Sequence, residues 1–232
     1  MSSSGLPDLP ALTSAQVKEL DRLASERFGV AIDWLMEAAG WHVARLCDAP
    51  TAVLCGVGNN GGDGLAAARH LHRWGRLASV SCIDPARLGT EARLELEALH
   101  RNGVHIGAAP ALDGAEIVVD AMLGTGLNRP PAGRFADWIV AINNSGKRVV
   151  AVDVPSGLDA DSGFAYAPCV HAHATVTFSL PKQGLLIGDG PRLAGDVWLA
   201  DVGVPVEAFA ELDIALPPGL FTSADLRRLE PQ

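Results

Sequence analysis

LCGVGNNGGDGLAAAR, residues 54–69, joins a short apolar run to a helix-forming one through a block of glycines. The apolar run, Thr51 to Gly56, reads as a buried strand. Leu65, Ala66, Ala67, Ala68, Leu71 and Trp74 predict a helix from about Gly62 to Arg73 or Trp74, with Gly75 as its stop. Glycines let a backbone pass through positive φ and approach a ligand closely. Successive N–H groups in such a turn form a concave nest, and a helix start adds about half a positive charge. Gly56, Gly58 and Gly61 fit the G-x-G-x-x-G spacing of dinucleotide sites, a weak signal alone. Asn59, Asn60 and Asp63 are the unusual part. Their oxygens suit a hard cation or ribose hydroxyls, whereas the aspartate repels a phosphate placed beside it. A plain capped turn needs one or two glycines, not five in nine residues.

Outward from this block, strands and helices alternate. Strands are predicted at Leu77–Ile83, Val104–Ile106, Ala115–Asp120, Lys147–Val152, Ala174–Leu180 and Asp196–Ala200, and helices near 89–102 and 132–144. This rhythm calls for an α/β fold with a mainly parallel sheet and helices on both faces. Two further helices precede the first strand. One follows the capping box Thr13-Ser14-Ala15-Gln16, and one spans about Asp33 to Leu46. They cover a sheet edge or make a subunit contact. Residues 1–11 read as a disordered leader, 12–206 as the domain, and 207–232 as a connector with a short capped helix in TSADLRRLEPQ.

Bulk properties narrow the function. The 232 residues suffice for one large core, and 48% apolar residues with a mean hydropathy of +0.20 suit a sheet covered on both faces. A net charge of −9 without a basic stripe disfavours nucleic acid. Cys47, Cys55, Cys82 and Cys169 lack metal or redox spacing and read as reduced core cysteines. No secretory signal or bilayer-length apolar run stands in the chain, so a cytoplasmic protein is expected. His171 and His173 share a strand face without a further ligand at useful spacing, and the five tryptophans read as packing.

Parallel strands place their carboxyl ends along one edge, where ligands bind. Three of these ends are polar and glycine-rich: GVGNNGGDG; Asp120 with Gly124-Thr125-Gly126-Leu127-Asn128-Arg129; and Asp153-Val154-Pro155-Ser156-Gly157. Asn60, Asp63, Asp120, Thr125, Arg129, Asp153 and Ser156 are therefore expected around one crevice. Gly124-Thr125-Gly126 offers a second nest for phosphate and Arg129 a positive fork. Asp153 suits sugar hydroxyls or a carboxamide. Asn60, Asp120 and Ser156 are oxygen ligands with a single carboxylate, which favours a monovalent cation over a divalent one.

At these residues the sequence resembles the NAD(P)H-hydrate epimerase family, also called the YjeF N-terminal domain family. The resemblance runs from about Leu12 to Pro205 through LMEAAG (35–40), GVGNNGGDGLAAARHL (56–71), VDAMLGTGLNR (119–129), AVDVPSGLDADSG (151–163), TFSLPKQGL (177–185) and DVGVP (201–205). It implies a Rossmann-like three-layer αβα sandwich, a homodimer, and interconversion of the R and S hydrates of NADH and NADPH. A partner NAD(P)H-hydrate dehydratase, in some relatives fused in one chain, would then restore the cofactor. By motif, Asn59, Asn60, Gly61, Gly62 and Asp63 would contact the substrate. Gly124, Thr125, Gly126, Leu127, Asn128, Arg129 and Pro130 would hold its phosphates, and Asp153 would also bind it. Asn60, Asp120 and Ser156 would ligate one potassium ion. A carboxyl near C6 would serve as acid and then base, with Asp120 the first candidate and Asp63 the second. A cation on Asp120 would oppose the raised pKa that a general acid needs. Many relatives have an aromatic where Leu123 stands, and Lys182 has no role derivable from sequence. The alternatives are a non-catalytic nucleotide-binding or scaffolding module of the same fold, and an enzyme acting on another nucleotide or sugar phosphate.

Overall fold

The computed structural model describes residues 9–230. In chain order the elements are α1 (Ser14–Arg22), α2 (Ile32–Arg45), β1 (Thr51–Cys55), α3 (Asn59–Arg73), β2 (Leu77–Cys82), α4 (Thr90–Arg101), β3 (Ile106–Gly107) and β4 (Ile117–Ala121). Then follow α5 (Arg134–Asn144), β5 (Arg148–Val152), β6 (Ala174–Phe178), α6 (Gln183–Leu186), α7 (Gly190–Leu193), β7 (Asp196–Ala200), α8 (Val206–Ala210) and β8 (Leu226–Arg228). The strands form one sheet in the order β3-β2-β1-β4-β5-β6-β7-β8, parallel except for β7–β8. The order reverses between β1 and β4, so the loops leaving these neighbours part and open a crevice.

Alternation along the central strands sorts the core. Val53 and Cys55, Val119 and Ala121, and Val150 and Val152 face a cluster with Met36, Leu65, Leu71, Leu96 and Leu99 from α2, α3 and α4. Leu54, Val118 and Val149 face Trp138, Ile139 and Ile142 of α5. These are the three layers expected. All four cysteines are free and buried, and His173 Nδ1 accepts a 3.0 Å hydrogen bond from the Val149 N–H, a structural role. Among the described residues no helix is long and apolar enough to cross a membrane.

The glycine block differs from its expected form. It is helical from Asn59 rather than from about Gly62, and none of Gly56, Gly58, Gly61, Gly62 or Gly64 has positive φ. All of them but Gly58, where a Cβ would meet open space, serve close packing. A Cβ on Gly56 would stand 1.9 Å from the Met122 carbonyl oxygen, and one on Gly64 2.4 Å from the Ala121 Cβ. Helix α3 therefore starts directly against β4 and its outgoing loop. Gly40 does the same between helices, where a Cβ would lie 2.5 Å from that of Ala66.

The two ends also differ. The expected disordered leader falls largely on residues 1–8, outside the described residues; Leu9 packs against a cluster of Leu12, Leu20, Leu23, Leu180, Leu199, Phe209 and Leu220. Part of the tail packs on the domain, with Phe209 and Leu220 as core residues. Its predicted terminal helix is instead strand β8, antiparallel to β7 and tied to it by an Arg228–Asp196 ion pair. Helical propensity over so short a segment is weak, and the unpaired edge of β7 offers a ladder of hydrogen bonds in its place.

Candidate active site

A cavity of ≈ 690 Å³ opens at the carboxyl ends of β1, β4, β5, β6 and β7. Gly58, Asn59, Asn60 and Asp63 line it from the start of α3, and Gly124, Thr125, Gly126 and Leu127 from the loop after β4. Asp153 and Lys182 line it beyond β5 and β6. Another wall comes from the N-terminal helices, Val17, Lys18 and Asp21 of α1 and Leu35, Met36 and Ala39 of α2, and Phe135, Val202 and Val204 add to the lining. The helices that sequence left as an edge cover or subunit contact thus enclose the site.

Helix α3 has no side-chain N-cap. The N–H groups of its first turn, at Asn59 to Gly61, have no carbonyl within the helix and carry the positive end of its dipole. They sit beside the Gly124 loop, where a Cβ on Gly124 would lie 3.3 Å from the Asn60 amide. Two backbone segments rich in free N–H groups therefore meet at one mouth, an arrangement that suits an anion.

Below this mouth lies a closed polar layer. Asp120 and Ser156 are both 0% exposed. Ser156 donates its backbone N–H and its Oγ–H to the Asp120 carboxylate at 2.8 and 2.6 Å, and Met122 N–H adds a contact at 3.3 Å. Leu123 N–H donates to Ser156 Oγ at 2.9 Å, joining the loops after β4 and β5. Burial raises the Asp120 carboxyl to about 6 despite the bonds from Ser156 and Met122, which pull it down. Asn60, which packs against Gly124 of the same loop, has both amide atoms buried without a partner among the described residues. A buried, unbonded carbonyl oxygen, a carboxylate and a hydroxyl make, by their chemistry, a donor set fit for a hard monovalent cation.

The cavity also holds a group of charged side chains. Asp153, 7% exposed and at φ 66°, pairs at 2.7 Å with the ammonium of Lys182, itself 2% exposed. The Phe178 and Leu180 carbonyls accept from the same ammonium at 2.9 and 3.4 Å. Among the described residues Asp63 has no such ion pair. Burial, then the charges of Asp153 and Asp21, hold its carboxyl well above the usual range, while Lys182 opposes. Burial likewise pushes Asp21 up to about 6, with Lys182 opposing and Asp153 adding.

Of the residues predicted from sequence, Asn59, Asn60, Asp63, Gly124 to Leu127 and Asp153 line the cavity, and Asp120 and Ser156 lie together beneath it. Gly61 and Gly62 are packing residues behind the wall, against Gly56 and Met36. Asn128, Arg129 and Pro130 are exposed on the loop beyond the lining. Sequence reasoning missed Asp21 and left Lys182 open. Asp21 stands in an ordinary amphipathic helix with no motif around it, and only the fold brings it to the site.

The comparisons agree with this architecture. The profile of the YjeF-related protein N-terminus family matches residues 32–184. The chain is 35% identical to an NAD(P)H-hydrate epimerase of Rhodopirellula baltica over 221 residues, covering 89% of each. It is 38% identical to an NAD(P)H-hydrate epimerase of Limosilactobacillus fermentum, covering 82% of this chain and 96% of that one. A bifunctional NAD(P)H-hydrate repair enzyme of Thermofilum pendens is 39% identical over 82% of this chain, which spans only 40% of that longer relative. The crystal structure of yeast ynu0, YNL200c, superposes with a TM-score of 0.79 over 95% of this chain at 22% identity, a likeness of fold. The chain belongs to the YjeF-related protein N-terminus family.

Proposed function

We infer that this chain is an NAD(P)H-hydrate epimerase, interconverting the R and S forms of hydrated NADH and NADPH. One observation carries the reading beyond the family match. The same cavity presents a helix N-terminus and a glycine loop fit for a pyrophosphate, and at Asp63 a carboxyl that has no ion pair among the described residues. That is the pairing that a dinucleotide with an acid-labile hydroxyl requires.

The chemistry follows from the substrate. C6 of the hydrate bears a hydroxyl beside the ring nitrogen. Protonation of that hydroxyl lets the nitrogen lone pair expel water, and the planar iminium takes water back on either face. The group giving the proton must hold it near neutral pH and touch the cavity. Asp120 was the first candidate from sequence. Its full burial and its bonds to Ser156 favour a supporting role, and Asp63, which faces the cavity, fits the proton step better. Asp153, oriented by Lys182, is placed to bind a ribose or the carboxamide.

Asn60, Asp120 and Ser156 would hold a potassium ion. The ion would neutralise Asp120 and tie together the loops that carry the phosphates. A homodimer, a cytoplasmic location and a separate or fused dehydratase that consumes the S form complete the proposal. The test is proton NMR of the purified chain with the isolated S hydrate of NADH, in potassium and then in lithium. Appearance of the R hydrate faster than its spontaneous formation supports the reading. No acceleration by folded protein in either salt overturns it in favour of a binding module.

A further inference from the structure

R and S hydrates carry their hydroxyls on opposite faces of the ring. A single carboxyl on one face can protonate only the hydroxyl that lies there. Inversion needs a second group to take the proton from water arriving at the other face. Three carboxyls face the cavity, Asp21, Asp63 and Asp153, with Asp120 beneath. Asp153 is fixed to Lys182 at 2.7 Å, and Asp120 accepts three hydrogen bonds from Ser156 and Met122. Among the described residues neither Asp21 nor Asp63 has a side-chain hydrogen bond or ion pair.

The two free carboxyls come from different walls. Asp63 stands on the second turn of α3. Asp21 stands on α1, whose Ser14, Val17, Lys18 and Asp21 repeat at helical spacing along the cavity, with Leu20 buried between this lining and the core and Leu23 in the core. The family profile begins at residue 32, so this helix lies outside it. The charged groups around Asp21 are Lys18 on its own helix, Lys182 and Asp153 beyond β6 and β5, and Asp63 on α3.

We propose that Asp21 is a catalytic residue, the partner of Asp63, each carboxyl serving one face of the substrate ring. The proposal rests on the epimerase reading. In one direction the Asp63 carboxyl gives its proton to the C6 hydroxyl. The C6–O bond breaks, water leaves, and the nitrogen lone pair becomes the second bond of the iminium. Water then attacks C6 from the other face, the iminium pair returns to nitrogen, and the released proton goes to the Asp21 carboxylate. One water leaves and one enters, with no change of oxidation state. The reverse reaction, or exchange with solvent, resets the two protons. Desolvation in the cavity wall favours the protonated form of both carboxyls, raising Asp21 to about 6 and Asp63 well above the usual carboxylate range.

The experiment is isotopic. The purified chain in potassium is given each isolated hydrate of NADH in ¹⁸O-labelled water. Epimers are read by proton NMR and label by mass spectrometry. The wild-type chain should invert both epimers and label both. Asp21→Asn should invert at least about 100-fold more slowly, yet still label one epimer with its configuration retained, because Asp63 can expel and readmit water on its own face. Asp63→Asn should label the other epimer. Asp21→Glu, with the carboxyl restored on a longer arm, should recover part of the inversion. Inversion by Asp21→Asn within about threefold of wild type overturns the proposal. So does loss of inversion and labelling together for both epimers while Asp21→Glu recovers neither. A wild-type chain that neither inverts nor labels would instead sink the epimerase reading itself.

Discussion

Lys182 Nζ lies 2.7 Å from a carboxylate oxygen of Asp153, with both side chains buried at the floor of the cavity. The pair is locked from both sides. Lys182 is bridged to Leu12 through the backbone, and its ammonium is also capped by the Phe178 carbonyl. Removing one member of a buried pair leaves an uncompensated charge, at a cost of about 3–5 kcal/mol. Lys182→Met should therefore lower the melting temperature by roughly 6–20 °C for a chain of this size. Asp153→Asn added to it should recover part of the loss. A calorimetric scan decides; a single variant that melts with wild type would mean the pair is not held together in solution.

Asn60 gives a prediction whose sign changes with the salt. Its amide is buried without a partner, and such an orphan costs about 1–3 kcal/mol. Potassium at Asn60, Asp120 and Ser156 would turn that cost into a bond. In lithium at matched ionic strength, Asn60→Ala should melt no lower than wild type. In potassium, wild type should gain several degrees and the variant little. Equal gains for both would remove Asn60 from the ion site. Ser156→Ala should lose the potassium gain as well, and it also unties Leu123 N–H from the loop after β5.

The tail matters through the edge that it covers. Strand β8 closes the last open side of β7, and Leu220 and Phe209 are buried on the way to it. Ending the chain before Ser223 exposes the ladder groups of Asp196–Ala200, an invitation to pair with another copy. The shortened chain should self-associate with time and concentration, seen by light scattering after size exclusion. A shortened chain with the same mass distribution as the full one would show that β7 is protected by other means.

Much of the site was legible because strand ends in a parallel sheet share an edge. Asn60, Asp63, Asp120, Thr125, Asp153 and Ser156 were brought together by that topology alone, across almost a hundred positions of chain. The glycine block misled in one respect. Five glycines read as a flexible turn, whereas in the fold four of them are bare backbone at close contacts: Gly56 against Met122, Gly61 against Gly56, Gly62 against Met36 and Gly64 against Ala121. Composition cannot separate these two uses, since both need a missing Cβ. The tail was misread because TSADLRRLE carries local helix signals, and its pairing with β7 is a long-range property. Asp21 was invisible for the same reason: its meaning comes from Asp63 and Lys182, neither of which is near it in sequence.

Asp21 also ties stability to activity. Burial favours its neutral form and raises the folded-state pKa from the ordinary 3.8 to about 6. A group raised in the folded state supports folding fully below its unfolded value and loses that contribution as pH rises through the folded one. Wild type should thus lose stability between about pH 4 and 6, and Asp21→Asn, which has no proton to lose, should not share this component of the loss. The variant should gain on wild type across that window and remain ahead at pH 7.5, read as the urea midpoint at each pH. A chain that becomes more stable while inversion collapses is what a strained catalytic carboxyl predicts. If Asp21→Asn is instead less stable than wild type at pH 7.5, the carboxylate is neutralised in the folded chain, and Lys182 must then be shared between Asp153 and Asp21.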